Sequence, residues 1–321
     1  MTAGVTVVVP TLGRPSLAVL LDALASGDPV PLPVEILVVD DRADRRQPLP
    51  ARGAKVVTGR AAGPAAARNA GWRAAHHEWV AFLDDDVVPD PDWLPRLAAD
   101  LAASGPEVGG VQGRLRVPLP RDRRPTDWER VTAGLASGEW ITADMAYRTA
   151  ALERAGGFDE RLPRAFREDA ELAHRVRAAG WRLRRGERTV THPVRPESRW
   201  VSLRAQRGNA DDALLRRLYG PRWRDVLGIA PGRRHRHTAI TAAAAVALTC
   251  AVAAALSRRR QWLIAAAAAG AAWAAGTAEF ATARIAPGPR DRAEVTTMLV
   301  TSMAIPPVAT VHWLRGWWRW R

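Results

Sequence analysis

Three consecutive aspartates, Asp84, Asp85 and Asp86, directly follow the apolar run Trp79–Leu83. Adjacent carboxylates repel one another, and a divalent cation such as Mg²⁺ or Mn²⁺ would offset that repulsion while accepting further oxygen ligands from a diphosphate. Because side chains alternate along an extended segment, we expect Asp84 and Asp86 to point to one side and Asp85 to the other. The triplet alone also fits a solvated acidic loop in front of a helix.

A second pair of carboxylates, Glu168 and Asp169, stands at the start of a helical pattern that runs to Ala179. The helix dipole favours negative charge at a helix N-terminus, so simple capping is one interpretation. The other is a general base that takes a proton from an attacking hydroxyl group. Taken by themselves, these two residues leave both interpretations open.

Short apolar runs rich in β-branched residues alternate with helical patterns from Val5 to about His192, which is typical of an α/β domain with a mostly parallel, Rossmann-like sheet flanked by helices. The predicted strands are Val5–Val9, Val34–Val39, Lys55–Thr58, Trp79–Leu83 and Trp140–Tyr147. The predicted helices are Ser16–Leu24, Ala65–Ala75, Asp92–Ala103, Ala150–Ala155 and Glu168–Ala179. Ligands bind at the carboxyl ends of strands in open sheets, so the place of the triplet at a strand end favours the metal interpretation.

Two segments after these elements have less regular patterns. Val117–Arg130 is rich in proline, arginine and aspartate without periodicity, which predicts a loop over one edge of the sheet. Beyond Pro196, apolar residues fall on one helical face and most arginines fall elsewhere, which predicts an amphipathic helix. That helix either packs on its own domain or lies in a membrane interface.

Three apolar stretches follow: Thr238–Leu256, Trp262–Ala278 and Val295–Leu314. Each approaches the roughly 20 residues that a membrane-spanning helix needs. Arginines precede the first stretch, and tryptophans alternate with arginines after the last, which is typical of interfacial anchors. We therefore predict two to three membrane helices, although the alanine-rich first two stretches also fit a buried hairpin. The expected organisation is a catalytic domain over residues 1–195, an amphipathic linker over 196–232 and a hydrophobic helical region over 233–321.

The net charge of +14 comes almost wholly from arginine and selects no partner by itself. The single cysteine, Cys250, excludes an intramolecular disulfide or a cysteine-based metal site and suits a reducing compartment. The N-terminal run lacks a basic region and cleavage site, so we expect no cleavable signal peptide and a catalytic domain on the cytosolic side of the cytoplasmic membrane. Arg258, Arg259 and Arg260 conflict with this orientation if two full spans flank them. No aromatic and basic platform supports nucleic-acid binding.

The motifs, taken in order, resemble those of family 2 glycosyltransferases, which have a GT-A fold. They are Val7–Thr11 with Arg14, Val38–Asp41, Gly63–Gly71, Phe82–Asp86, Met145–Arg148, Gly156–Asp159 and Glu168–Leu172 followed by Arg175 and Gly180-Trp181. Each motif is weak alone, whereas the ordered set is specific. It spans most of the predicted catalytic domain.

The resemblance implies a nucleotide-sugar donor, a Mn²⁺ or Mg²⁺ cofactor and a lipid-linked or glycan acceptor. Asp169 would be the catalytic base of a single in-line displacement with inversion, and Glu168 is the less suited of the two. The residues implied in donor binding are Pro10, Thr11, Arg14, Asp40, Asp41, Arg68, Asp84 and Asp85. Those implied in metal binding are Asp86, Asp84 and His192, and for His192 a position without any ligand role is equally compatible with the sequence.

Some features depart from the family pattern. Asp144 stands where relatives more often have asparagine or another small polar residue, which leaves the acceptor contacts open. The Gln-x-x-Arg-Trp signature of processive synthases is missing before Trp200, so we expect one sugar per encounter. Two alternatives remain: a sugar-phosphate nucleotidylyltransferase, for which Thr11–Pro15 is a poor triphosphate loop, and a non-catalytic membrane-binding module of the same fold.

Overall fold

The computed structural model describes residues 2–321, which fall into two compact units. The N-terminal unit comprises the chain up to Pro118 together with Thr132–Val194. The C-terminal unit comprises Leu119–Val131 together with Arg195–Arg321. A segment between two strands of the sheet thus belongs to the unit that carries the apolar helices.

An eight-stranded mixed sheet forms the N-terminal unit. Its strands are β1 (Thr2–Thr11), β2 (Val34–Asp40), β3 (Lys55–Thr58), β4 (His77–Leu83), β5 (Val88–Pro89), β6 (Val108–Arg116), β7 (Asp144–Arg148) and β8 (Arg182–Thr191). The order across the sheet is β3-β2-β1-β4-β7-β6-β8-β5. β1 to β4 pair in parallel, as do β6 and β8, whereas β7 runs antiparallel to both β4 and β6.

The helices of the N-terminal unit are α1 (Ser16–Ser26), α2 (Pro64–Arg73), α3 (Trp93–Ala102), α4 (Asp127–Ala133, whose first turns belong to the other unit), α5 (Thr149–Ala155) and α6 (Glu168–Ala178). The C-terminal unit continues with α7 (Val201–Arg204), α8 (Asn209–Tyr219), α9 (Trp223–Leu227), α10 (Arg234–Ser257), α11 (Arg260–Ile285) and α12 (Arg292–Arg319). Short 3-10 turns cover Gly134–Ser137 and Ala205–Gly208.

The core lies on both faces of the central strands. Val5, Val7 and Val9 of β1 point into one cluster with α1 and α3, while Val8 points into the other cluster with α2 and α6. All four valines are fully buried, which is why β1 reads as a continuous apolar run and not as an alternating one. Because β1 and β4 are packed on both faces, their carboxyl ends are held in place, and so are the residues that follow them.

The predicted α/β domain with a mostly parallel sheet and flanking helices is confirmed, and the strands that were predicted extend by one to three residues in places. β6 was not predicted, because Gly109, Gly110 and Gly113 interrupt its apolar pattern. The predicted strand Trp140–Tyr147 begins only at Asp144, since Trp140 adopts a φ of 63°.

The predicted loop Val117–Arg130 ends in a helix. The Glu129 amide donates to Thr126 Oγ1 at 3.3 Å, and the Thr126 amide donates to Glu129 Oε2 at 2.7 Å. This reciprocal pair is a capping box, whose Thr-x-x-Glu signature is present in the sequence and would have predicted the start of α4.

The C-terminal unit differs from the prediction of one amphipathic helix after Pro196. The 3-10 turn Ala205–Gly208 separates α7 from α8, and Gly220 ends α8. The three helices that follow are each long and apolar enough to cross a membrane by length and composition. They contain the three predicted apolar stretches and extend beyond them at both ends.

Candidate functional site

The carboxyl ends of β1, β2 and β4 meet at one edge of the sheet. The parallel register places Thr11 beside Asp40, and Leu83 at the end of β4 pairs with Asp144 of β7. The three aspartates Asp84 to Asp86 therefore leave the sheet next to the end of β1. This is the edge at which open α/β sheets bind ligands.

Arg68 of α2 connects two parts of the candidate site. Its side chain donates to Glu168 Oε1 and to Asp84 Oδ1, each at 2.8 Å, and the residue is only 2% exposed. Burial disfavours the charged guanidinium, but the two carboxylates outweigh it and hold the pKa of Arg68 above its ordinary value. One arginine thus joins the end of β4 to the start of α6.

Two glycines and one aspartate position α2 so that the Arg68 side chain reaches Asp84 and Glu168. A Cβ added at Gly71 would collide with the Val8 side chain, so the helix packs directly on β1. At the other end, Gly63 adopts a φ of 96° before Pro64 begins the helix. Asp41 accepts from the amides of Ala61 at 2.7 Å and Gly63 at 3.1 Å, which fixes the loop that leads into α2.

Glu168 and Asp169 have different environments although they are neighbours. Glu168 is 2% exposed and paired with Arg68, whereas Asp169 is partly exposed and accepts from the Ala170 amide at 2.7 Å. Burial raises the pKa of Glu168, and the nearby Asp169 charge raises it further. Burial also raises the pKa of Asp169. Glu168 is therefore held in an ion pair with Arg68, and Asp169 is the carboxylate that solvent or a ligand can reach.

Asp85 points into the protein between the ends of β1 and β4. Its carboxylate accepts from Thr11 Oγ1 at 2.6 Å and from the Arg14 guanidinium at 2.7 Å, and it is 2% exposed. The amide of Gly13 in turn donates to Thr11 Oγ1 at 2.9 Å. Asp85 thus orients the loop after β1.

Asp86 and His192 come together from distant parts of the chain. His192 Nε2 lies 3.6 Å from Asp86 Oδ1, and both residues are 7% exposed. The His192 amide donates to the Arg116 carbonyl at 2.8 Å, which fixes the histidine just after the end of β8. The pair offers one carboxylate and one imidazole at the edge of the sheet that carries the other candidate residues.

The donor set at this pair fits a divalent cation. Within residues 2–321, no three His, Cys, Asp or Glu side chains are close enough to form a metal site by themselves. The Asp84 carboxylate accepts a hydrogen bond from Arg68. Mg²⁺ is usually held by only one or two protein carboxylates, with substrate phosphates and waters completing its shell. Asp86 supplies one such carboxylate, and His192 adds an imidazole. The role of Asp84 as a metal ligand stays a prediction.

Pro10, Asp40 and Asp41 also lie at this edge. Pro10 pairs in register with Val39, next to Asp40. The Asp40 carboxylate accepts from the Arg42 guanidinium through two bonds of 2.8 Å, and these hydrogen bonds hold the pKa of Asp40 below its ordinary value. The residues predicted for the donor and the metal therefore lie at one end of the sheet, and three groups among them are centred on Arg68, Asp85 and Asp86.

Residues 6–154 match the sequence profile described as Glycosyl transferase family 2. Residues 6–154, just under half of the chain, are therefore similar to family 2 glycosyltransferases. The matched range begins in β1 and ends in α5, and so includes Arg68 and the three consecutive aspartates. The recognition made from the ordered motifs is confirmed.

Curated relatives and a solved structure agree with this family. The Pre-mycofactocin glycosyltransferases of Mycobacterium tuberculosis strains CDC 1551 and H37Rv are each 31% identical over 163 residues, which is 46% of this chain and 34% of the relative. The chain thus spans about a third of the length of the curated relatives it matches. A mannosyltransferase from Pyrobaculum calidifontis, solved with GDP-Man and Mn²⁺, superposes with a TM-score of 0.56 at 23% identity, covering 98% of this chain and 88% of that chain. The predicted GT-A fold is confirmed.

A buried ion network in the N-terminal unit was not predicted from the sequence. Arg188 of β8 is fully buried and donates to Asp144 Oδ1 at 2.7 Å and to Asp100 Oδ2 at 3.1 Å. Asp144 also accepts from the Trp93 indole at 2.9 Å. The network joins β7 to β8 and α3. β7 pairs with β4, which the triplet follows, and His192 follows β8. Asp144 stood out only as a departure from the family pattern, and no local signal marks Arg188.

Proposed function

We propose that the chain is an inverting, divalent-metal-dependent glycosyltransferase that moves one sugar per encounter from a nucleotide-sugar donor to a hydroxyl group of a lipid-linked or cell-envelope acceptor. The observation that carries this proposal is the double ion pair of Arg68 with Asp84 and Glu168. It brings the strand-end aspartates to the start of α6, so that donor-binding and base functions share one edge of the sheet.

The donor would lie along the edge formed by the ends of β1, β2 and β4. Thr11, Asp40 and Asp41 border the place for the nucleotide base, and Asp85 keeps the β1 loop in position through Thr11 and Arg14. Arg68 would help to hold the donor by keeping Asp84 in place at the end of β4 through its ion pairs. Preformed ion pairs would let these groups receive the donor without large rearrangement.

Asp169 would act as the general base. The acceptor hydroxyl oxygen attacks the anomeric carbon from the side opposite the diphosphate and passes its proton to the Asp169 carboxylate. The bond between the anomeric carbon and the diphosphate oxygen breaks as the new glycosidic bond forms, which inverts the configuration. Glu168 keeps its ion pair with Arg68 during this step.

Asp86 and His192 would hold a Mn²⁺ or Mg²⁺ ion. Such an ion, when bound, neutralises negative charge that develops on a leaving diphosphate. Two protein ligands suffice for this purpose, because the diphosphate itself supplies the remaining oxygens.

The C-terminal unit would attach the enzyme to the cytoplasmic membrane with the catalytic unit on the cytosolic side. In the most apolar stretches of α10 and α11, only 17% and 11% of the residues are buried in the protein. Their exposed large apolar side chains include Leu248, Leu256 and Leu263. Such helices suit lipid surroundings, and they would keep the enzyme next to lipid-linked acceptors.

The proposal is tested by supplying membranes that contain the full chain with a panel of nucleoside diphosphate sugars and Mn²⁺, and detecting glycosylated products by mass spectrometry. We expect one donor to give a product with wild-type protein and none with Asp86→Ala or Asp169→Asn. Asp22→Asn, an exposed carboxylate on α1, is the matched control and should retain turnover. Pyrophosphate release from a nucleoside triphosphate and a sugar phosphate, without glycosyl transfer, would instead show a nucleotidylyltransferase.

A further inference from the structure

The helices α10 and α11 form an antiparallel hairpin. Near its open end, Arg236 of α10 pairs with Glu279 of α11 at 3.1 Å, and the rings of His237 and Phe280 lie 4.8 Å apart. The start of α10 and the end of α11 therefore lie at the same level, which we call the base of the hairpin. The connection Arg258–Arg260 forms its tip.

The third apolar helix, α12, contacts the base of this hairpin. Arg284, next to the last residue of α11, donates to Thr301 Oγ1 at 2.8 Å and to Ser302 Oγ at 3.1 Å. Thr310 of α12 lies 3.4 Å from Thr241, between the hydroxyl oxygens. Farther along α12, the ring of Trp313 lies 4.7 Å from the guanidinium of Arg234, the first residue of α10.

Taken together, these contacts do not match a straight path of α12 alongside α10, and Pro306 and Pro307 lie within the helix between Ser302 and Thr310. If α12 ran antiparallel to α10 with Thr310 beside Thr241, Ser302 would lie about 12 Å closer to the tip, yet it contacts Arg284 at the base. If α12 ran parallel to α10, Trp313 would lie about 15 Å from the level of Arg234, yet these two side chains stack. The contacts fit a helix that crosses the base of the hairpin.

The two sides of α12 differ in burial. One side is buried in the C-terminal unit, and Gly316 on that side lies so close to Ala210 of α8 that an added Cβ would be 2.6 Å from the Ala210 Cα. The other side exposes large apolar residues with relative exposures between 44% and 70%. These residues are Leu299, Val300, Met303, Val311, Leu314, Trp317 and Trp318.

The arginines and tryptophans at the end of α12 indicate what covers this exposed side. Arg321 stacks on Trp317 at 3.9 Å and on Trp318 at 4.5 Å, and Arg319 stacks on Trp320 at 4.8 Å. Tryptophan is enriched at the level of lipid headgroups, and arginine is attracted to anionic headgroups. An apolar side that ends in this cluster fits the boundary between headgroups and acyl chains.

We propose that α12 lies in the plane of the membrane at the base of the α10–α11 hairpin, with its exposed apolar side on the lipid, so that both of its ends face one compartment. The chain then crosses the membrane with a single hairpin, although three of its helices are long enough to span it. The proposal rests on the membrane attachment proposed above and adds which helices cross. It places Arg258–Arg260 on the side opposite the catalytic unit, against the positive-inside tendency.

The single cysteine makes the topology measurable. In a Cys250→Ala background of the full chain, three variants each introduce one exposed cysteine: Arg259→Cys at the tip, Arg290→Cys before α12 and Arg321→Cys after it. Each is treated with a membrane-impermeant maleimide in right-side-out and inverted vesicles. We expect Arg290→Cys and Arg321→Cys to react from the same side and Arg259→Cys from the opposite side.

Two other labelling patterns would each contradict the proposal. Reaction of Arg290→Cys and Arg321→Cys from opposite sides would show that α12 spans the membrane and would overturn the proposal. Reaction of all three from one side would overturn it as well, because the hairpin would not cross. Donor turnover in the same vesicles reports separately on the proposed enzymatic function, so the two failures are distinguishable.

A depth measurement provides a second test that is independent of labelling efficiency. Spin labels at Leu299, Met303 and Val311, introduced singly in the same background, report depth through collision with oxygen and with a water-soluble nickel complex. An in-plane helix places the three labels at similar depths. A spanning helix would separate the first and last by about 18 Å of depth, and that result would contradict the proposal.

Discussion

Replacing Arg68 by methionine removes the positive charge that Asp84 and Glu168 share. Arg68 and Glu168 are each 2% exposed, so Arg68→Met leaves a buried carboxylate without its ion-pair partner. Removing one partner of a buried pair lowers the free energy of unfolding by about 3–5 kcal/mol. Each kcal/mol shifts the Tm of a folded unit of this size by about 2–4 °C, so the expected decrease is roughly 6–20 °C.

The decrease should depend on pH. Burial raises the pKa of Glu168 in the folded protein. A carboxyl group with a raised folded-state pKa stabilises the fold while it is protonated, and this contribution is lost as the pH rises through that pKa. Without Arg68 the folded-state pKa of Glu168 rises further, so the Tm deficit should be larger at about pH 8 than at about pH 5.

The assay is thermal unfolding of the full chain in detergent, followed by tryptophan fluorescence. Arg73→Met is the matched control on the same helix, because Arg73 has a half-exposed side chain and reaches Glu160 only at 3.5 Å. Exposed pairs of this kind contribute about 1 kcal/mol or less. Adding Glu168→Gln to Arg68→Met should restore much of the lost stability. A Tm for Arg68→Met equal to that of the control would refute this reasoning.

Three further predictions concern the base, the helix that carries Arg68 and the metal pair. Burial raises the pKa of Asp169. If Asp169 is the base, kcat should fall as the pH drops through a pKa above that of an ordinary aspartate. A kcat that stays constant down to about pH 4 would contradict this role. Gly71→Ala should destabilise the protein by about 1–3 kcal/mol through overpacking and weaken nucleotide binding in calorimetry, whereas Gly134→Ala, which has open space, should change neither. His192→Ala should raise the Mn²⁺ concentration that gives half-maximal turnover by about tenfold or more, and an unchanged metal requirement in both this variant and Asp86→Ala would exclude the pair as the metal site.

The sequence was informative where the signal is local. Val5–Val9 and Trp79–Leu83 are continuous apolar runs because both faces of the sheet are covered, and each is followed by residues that the structure gathers at one edge. The ordered motifs then predicted the family before any distances were known. The capping box of Thr126 and Glu129 was an equally local signal that went unused.

The remaining features depend on contacts between residues far apart in the chain. Arg68 and Glu168 are 100 residues apart, and the division of roles between Glu168 and Asp169 follows from that pairing. The path of α12 is a similar case, since its length and composition suit a spanning helix. The proposed path across the base of the hairpin rests on contacts with Arg284 and Arg234, which no local pattern predicts.

The central proposal is that this chain catalyses glycosyl transfer with Asp169 as the base. The most direct measurement is kcat of Asp169→Asn with the identified donor, with the Kd for the nucleotide determined on the same preparation. General-base catalysis predicts a fall in kcat of about 10²–10⁴-fold while the Kd stays nearly unchanged. A wild-type kcat in Asp169→Asn, or an equal loss in the exposed control Asp22→Asn, would contradict the account.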